Sequence, residues 1–260
     1  MHTDPAHLYF VTTRAENWAH VFRRDVIRRI HQGGNHMFNL SPVWKETYPD
    51  AAVGVLVMSG VNNPASHPEL ERRKQALEAD IRARFDNHSR AELRELPTLA
   101  AYHTYYKRYG KNYHVQLQLE SVAHKGKSIP RVAALVECMF MAELKNQLLT
   151  AGHDMDVVQP PVGIDVATGE ETYVLLKGQD QALKAGDMKI SDAEGVISSI
   201  VHGPDRRTQI LPGTRRVLFT VYAPPGIEAA WVQEHLTDIQ ANVLLVAKEA
   251  ETELMEVFRI

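Results

Sequence analysis

Near Val162 the spacing of apolar residues switches from that of helices to that of short strands. Downstream come VGIDVA, ETYVLL, a Lys177-Gly178 turn, a run through Ile190, the turn Asp192-Ala193-Glu194-Gly195, Val196 to Val201, and RRVLFTVYAP. Apolar runs this short, punctuated by turn residues, read as an antiparallel meander. Upstream, apolar residues recur every three or four positions over several longer stretches, the spacing of one helix face. Helices gathered in one region and strands in another make the expected fold class α+β.

From Ala15 to Ile30 the stripe is Trp18, Val21, Phe22, Val26 and Ile30, with Arg23, Arg24, Arg28 and Arg29 on the remaining surface and Gly33-Gly34 as the stop. Those arginines read as a solvated face, with phosphate contact as the alternative. Ala51 to Ser59, AAVGVLVMS, is a β-branched apolar run between turn residues and reads as a buried strand, the first of the sheet. PELERRKQALEADIRARF follows as an amphipathic helix with Leu70, Leu77, Ile81 and Phe85 on one side. Tyr102, Tyr105, Tyr106 and Tyr109 then stand at helical spacing beside Lys107, Arg108 and Lys111, with Gly110 as the helix cap. Two readings stand for them: a core stripe with the bases on the wet face, or a stacking surface for RNA. Val132 to Leu149 reads as a buried helix whose Cys138 belongs to the core, since nothing adjacent would lower a thiol pKa. Glu228 to about Phe258 reads as a closing helix. No repeat, low-complexity tract or linker divides the chain, so one domain over residues 1–260 is expected.

With 44% hydrophobic residues in 260, material for a packed core is ample. The 29 Lys+Arg against 32 Asp+Glu leave a formal charge of -3, so no global field draws in nucleic acid and RNA contact needs a local patch. A single cysteine excludes an internal disulfide, and none of the 13 histidines falls in an HExxH or paired-cysteine zinc pattern. Neither metal nor cofactor is expected. The first residues, MHTDPAHLYF, do not form a basic start followed by an apolar run, and no segment approaches the roughly 20 apolar residues that cross a bilayer. The expectation is a cytoplasmic protein in a reducing compartment, with no membrane partner.

Four segments taken in order, PTLAAYHTYYKRYGKNY, KSIPRVAALVECMFMAELKNQLLTAGHDMD, TYVLLKGQDQALKAGDMKISDAEGVISSIVHG and DRRTQILPGTRRVLFTVYAP, resemble the B3/B4 domain of the bacterial phenylalanyl-tRNA synthetase β subunit and its stand-alone relatives. The likeness runs from about residue 96 to 225. It implies antiparallel sheets forming a sandwich-like core flanked by helices. It also implies an editing function, hydrolysis of an amino acid wrongly esterified to tRNA, because a second site removes near relatives that binding alone cannot reject. The partner so implied is tRNA or aminoacyl-tRNA, or a free amino acid. The chain has no Gly-rich phosphate loop, so aminoacylation itself is not expected.

The family carries a histidine in the turn leaving its central helix, within a Pro-Met-His-Ala-Phe-Asp type segment. Aligning that aspartate with Asp154 places the family histidine on Ala151, beside Gly152, with His153 two positions along. His153, Asp154 and Asp156 together have the composition of a general base and its orienting carboxylate. The second candidate segment is His202-Gly203-Pro204-Asp205-Arg206-Arg207-Thr208. There Asp205 matches an acidic pocket residue of the family, Arg206 and Arg207 suit a phosphate or carboxylate, and Thr208 supplies a hydroxyl. Asp154 or Asp156 as a cap and Gly-Pro-Asp as an ordinary hairpin turn are the alternatives. Arg131 and Glu137 flank the start of the central helix, as a cleft lining or as an ion pair. Lys125, Lys127, Arg215 and Arg216 suit an acceptor-stem backbone or simply a solvated surface. The expected catalytic set is therefore His153, Asp154 and Asp205, and the expected function is editing-like ester hydrolysis or capture of a tRNA end. A non-catalytic amino-acid, nucleoside or tRNA-binding protein is the alternative.

Overall fold

A computed structural model describes residues 37–259, and the helix expected over residues 15–30 with its four arginines lies outside them. The described helices are α1 (Pro42–Thr47), α2 (Pro68–Phe85), α3 (Arg90–Arg94), α4 (Pro97–Lys107), α5 (His114–Lys125), α6 (Ala134–Asn146) and α7 (Ala229–Val246). The strands are β1 (Phe38–Leu40), β2 (Ala52–Ser59), β3 (Leu149–Asp154), β4 (Val162–Val166), β5 (Thr172–Val174), β6 (Asp180–Ala182), β7 (Met188–Asp192), β8 (Gly195–Ser199), β9 (Gly203–Pro204), β10 (Arg216–Ala223) and β11 (Glu251–Arg259). The fold is α+β with antiparallel sheets, in the orders β11-β2-β10-β3, β1-β4-β7-β8-β9 and β5-β6.

Strand β2 is the apolar run expected from Ala51 to Ser59, and it lies inside the four-stranded sheet. Both of its faces are covered, which is why its sequence does not alternate. On one face, a Cβ at Gly54 would fall 2.6 Å from Val232 of α7. Gly54 pairs with Val221, and Val221 with Thr150, whose hydroxyl meets His235 of α7 at 2.7 Å. One residue along, on the opposite face, the Tyr222 hydroxyl contacts Ser198 Oγ of β8. The four-stranded sheet thus has helices on one side and the second sheet on the other.

The tyrosines of α4 are core. Tyr102, Tyr105 and Tyr106 are buried, and their hydroxyls donate to the Tyr222 carbonyl, to Asp187 Oδ1 and to the Ile200 carbonyl respectively. Tyr109 is half-buried, and Lys107, Arg108 and Lys111 are exposed.

Two expectations are corrected. The closing helix ends at Val246, and residues 251–259 form β11, which pairs with β2 across a bulge between Thr252 and Leu254. Glu, Leu and Met favour helix locally, but the open ladder of β2 offers them backbone partners, and tertiary pairing overrides weak local propensity. The central helix ends at Asn146 rather than Leu149, and the segment expected as a turn, 149–154, is the buried strand β3. Gln147 makes the stop by taking a left-handed φ of 60°. Its side chain accepts from Thr98 at 2.6 Å and its carbonyl from Tyr113 at 3.0 Å, contacts that hold a conformation costly for a non-glycine residue. Of the stripe expected in α2, Leu70, Ile81 and Phe85 are buried and Leu77 is half-buried, while Lys74 and Glu78 are buried beside them.

Candidate functional site

The candidate site sits between the sheets, at the end of β3. Strand alternation decides which of its residues meet. Thr150 and Gly152 lie on the face toward α6 and α7, where a Cβ on Gly152 would fall 3.1 Å from Met139 Sδ of α6 and 2.7 Å from Ile210 Cδ1, a side chain of the irregular segment 205–215 that joins β9 to β10. Ala151 and His153 alternate to the other face, where His153 meets Thr208 of the same segment.

His153 is 0% exposed, and its Nδ1 lies 2.7 Å from Thr208 Oγ1. The Thr208 hydroxyl donates to Asp205 Oδ1, which also accepts from the Thr208 N–H at 3.1 Å. A hydroxyl has one proton, so Thr208 receives rather than donates toward the ring, and Nδ1 carries the imidazole hydrogen. Nε2 is then a bare acceptor, and it is buried without a partner among the described residues. Burial, joined by the Arg207 charge against the opposing Asp192, holds the imidazole down at about 3 and therefore neutral. Burial also raises the Asp205 carboxyl above its usual range, against the hydrogen bonds from Thr208 and the charge of Arg207.

Asp154 is committed to structure. Its Oδ2 accepts from Thr214 at 2.6 Å, its Oδ1 from the Asp156 N–H at 3.1 Å, and its own N–H donates to the Thr208 carbonyl at 2.7 Å. It ties the 205–215 segment to β3. Arg207 makes a second tie, to Asp192 at 2.7 Å, with Glu194 at 3.4 Å and Asp205 at 3.8 Å. Burial works against ionisation of Asp192, but the Gln159 N–H, Arg207 and the Glu194 N–H outweigh it and hold the carboxyl low. A third tie is Asn63, which donates to the Leu211 carbonyl at 3.0 Å and accepts from the Leu135 N–H at 3.0 Å.

The structure therefore brings His153, Asp205 and Thr208 into one hydrogen-bonded chain, with Asp154 and Arg207 beside it. Arg206 is exposed, its N–H donating to the Val174 carbonyl at 2.8 Å. His202 is half-buried next to Gly203, whose φ is 83° and whose carbonyl accepts from Tyr173 at 2.8 Å. Arg131 and Glu137 belong to another network: Arg131 meets Glu71 at 2.9 Å, Lys74 bridges Glu71 at 2.7 Å and Glu137 at 2.6 Å, and Glu137 accepts from the Val132 N–H. Arg216 pairs with Glu253, while Arg215 donates to backbone carbonyls.

Thr214, Asp192 and Asn63 escaped the sequence analysis. Asp192 and Thr214 stood in turns, DAEG and PGT, where Asp and Thr are ordinary, and only their distant partners distinguish them. Among the described residues, no three His, Cys, Asp or Glu side chains come together as metal ligands, and no helix is long and apolar enough to cross a membrane.

No family model and no curated protein matches this chain in sequence. Among solved structures, an N-terminal fragment of the phenylalanyl-tRNA synthetase beta-subunit from Pyrococcus horikoshii is similar with a TM-score of 0.43 at 10% identity, over 86% of this chain and 51% of that one. The chain thus spans about half the length of that fragment.

Proposed function

We propose that this protein hydrolyses the ester of an aminoacyl-tRNA, with the His153 Nε2 lone pair as the acceptor that orients the attacking water. The observation carrying this reading is the chain Asp205–Thr208–His153, which sets the ring tautomer and leaves one nitrogen buried and unpartnered. The ordered resemblance of residues 96–225 to an editing domain supplies the substrate class. A group held at about 3 is a weak base, so His153 acts by position more than by proton abstraction. An aminoacyl ester is already activated, and a held water is what such a reaction chiefly lacks. The water oxygen bonds to the carbonyl carbon, the carbon–oxygen bond to the tRNA ribose breaks, and the water proton ends on the departing hydroxyl. The 205–215 segment covers His153, so the substrate enters when its ties to Asp154, Asp192 and Asn63 give way.

The test is deacylation of a panel of mischarged tRNAs, beginning with tyrosine esterified to the phenylalanine tRNA. Release of amino acid above the uncatalysed rate is expected, slowed about 100-fold in H153Q and in T208V if water orientation is the lost element. T208S keeps the hydroxyl and should retain most of the rate. No acceleration with any member of the panel removes this reading.

One observation favours a second reading, a non-catalytic binding protein: His153, Thr208 and Asp205 are each no more than 3% exposed. A closed site holds a ligand's polar hydrogen on Nε2 as readily as a water. A rise in melting temperature with an amino acid or tRNA fragment, without turnover, would select it.

A further inference from the structure

We propose that Lys111, Lys184 and His202 form a binding site for a phosphate group, separate in its residues from the His153 cluster. The three are far apart in sequence, and the tyrosines of α4 bring them together. Lys111 follows α4, and its N–H donates to the Tyr106 carbonyl at 3.1 Å. The Tyr106 hydroxyl donates at 2.6 Å to the carbonyl of Ile200, two residues before His202. Its neighbour Tyr105 donates at 2.7 Å to Asp187 Oδ1, and the Asp187 N–H donates to the Lys184 carbonyl at 3.1 Å. Asp187 Oδ2 in turn accepts at 3.3 Å from the N–H of Val201, adjacent to His202. The end of α4, the turn at Lys184 and the turn at His202 therefore meet around one point.

At that point donors collect without an acceptor. Lys111 and Lys184 are exposed, and neither forms an ion pair among the described residues. His202 Nε2 is buried and has no partner among the described residues. The carboxylate at hand, Asp187, is 0% exposed, with its oxygens engaged by Tyr105 and the Val201 N–H, so it does not serve as the surface counter-ion. Burial first, then the charges of Lys111 and Lys184, hold the His202 imidazole below its ordinary range. Two cations flanking an unpartnered imidazole favour an anion with several acceptor oxygens, which a phosphate is. On binding, His202 takes up a proton and offers it as a third charge-assisted hydrogen bond. Where the phosphate belongs to tRNA, this inference rests on the function proposed above; the site itself does not.

The experiment uses the full chain, wild type and K111A/K184A, with K248A as a control at another exposed lysine. Binding of a fluorescent single-stranded oligoribonucleotide is followed by anisotropy at two salt concentrations, and binding of inorganic phosphate by calorimetry. For RNA as the source, the double variant should weaken RNA binding about tenfold or more and reduce its salt slope by about 0.7 per lost phosphate contact. Affinity for inorganic phosphate lost in the double variant, with no RNA binding by the wild type, supports the site and assigns it to free phosphate. K248A should match the wild type. Unchanged affinity for both ligands in the double variant, with its unfolding midpoint intact, overturns the site. So does a His202 ring signal in NMR whose titration is the same with and without saturating ligand. Deacylation in these variants reports separately on His153: failure there with phosphate binding intact defeats the proposed reaction and leaves this site standing.

Discussion

Lys74 is 3% exposed inside the apolar stripe of α2, where the spacing of Leu70, Ile81 and Phe85 would place another hydrophobe. Burial alone would lower its ammonium pKa, and the hydrogen bonds it donates to Glu137 and Glu71 more than reverse that. The pair with Glu137, at 2.6 Å and with both side chains buried, ties α2 to the start of α6. Removing one member of a buried pair leaves an uncompensated charge, whereas replacing both with neutral groups avoids that desolvation cost. K74M should therefore lose about 3–5 kcal/mol in chemical denaturation. K74M/E137Q should recover most of it, because the amide oxygen still accepts from the Val132 N–H. A double variant no more stable than K74M would show that the charges themselves contribute little. The same residue-level logic governs His153: the position of one hydroxyl proton on Thr208 determines which ring nitrogen is free.

At the scale of elements, β2 and α7 approach so closely that only glycine fits at position 54. A Cβ there would fall 2.6 Å from Val232 Cγ1 and 3.2 Å from Leu236 Cδ1. Val232 is β-branched and wholly buried, so its χ1 has little room to yield. Overpacking of this kind costs about 1–3 kcal/mol, and G54A should lower the unfolding free energy measured by chemical denaturation by that amount. V232A in the G54A background should recover part of the loss, and a simple sum of the two single effects would argue against their contact. Strand β11 shows the complementary case. Its nine residues carry no strong strand signal, yet β2 would be left with an open ladder without them.

Across the whole molecule, buried ionisable groups set how stability follows pH. Burial pushes the Glu143 carboxyl up to about 8, opposed by the hydrogen bond it accepts from the Thr150 N–H. Between the ordinary value of 4.5 and about 8 the folded chain keeps a proton that the unfolded chain has lost, so rising pH favours unfolding. His153 and His235 act with the opposite sign: both are held at about 3 by burial, against an ordinary 6.5. Their contribution is present above 6.5 and lost as pH falls toward 3. Above 6.5 the histidine contribution rises slightly and levels off, so a decline toward pH 8 belongs to Glu143. Relative to E143Q, the wild type should lose about 2 kcal/mol between pH 6.5 and 8, at about 1.4 kcal/mol per pH unit for one proton. E143Q, which still accepts from Thr150, should show no decline. Urea denaturation at three pH values checks this, and a wild type equally stable at both ends would contradict it.

What was legible in the sequence was whatever depends on neighbours within a few residues. The α+β class, the stripe of α2 and the tyrosine face of α4 follow from local periodicity, because one buried face repeats every two or every 3.6 residues, and β2 follows from an unbroken apolar run between turn residues. The two polar segments around His153 and Asp205 were legible as chemistry but not as one place. Their meeting runs through a hydrogen bond between residues 55 apart, and it depends on β3 being a strand whose alternation turns His153 away from the helices. Lys74 inside a core and β11 on the edge of β2 were likewise decided only in the tertiary structure. A buried charge or a strand with weak propensity is stabilised by a partner that local spacing does not specify, and folding is what brings that partner within reach.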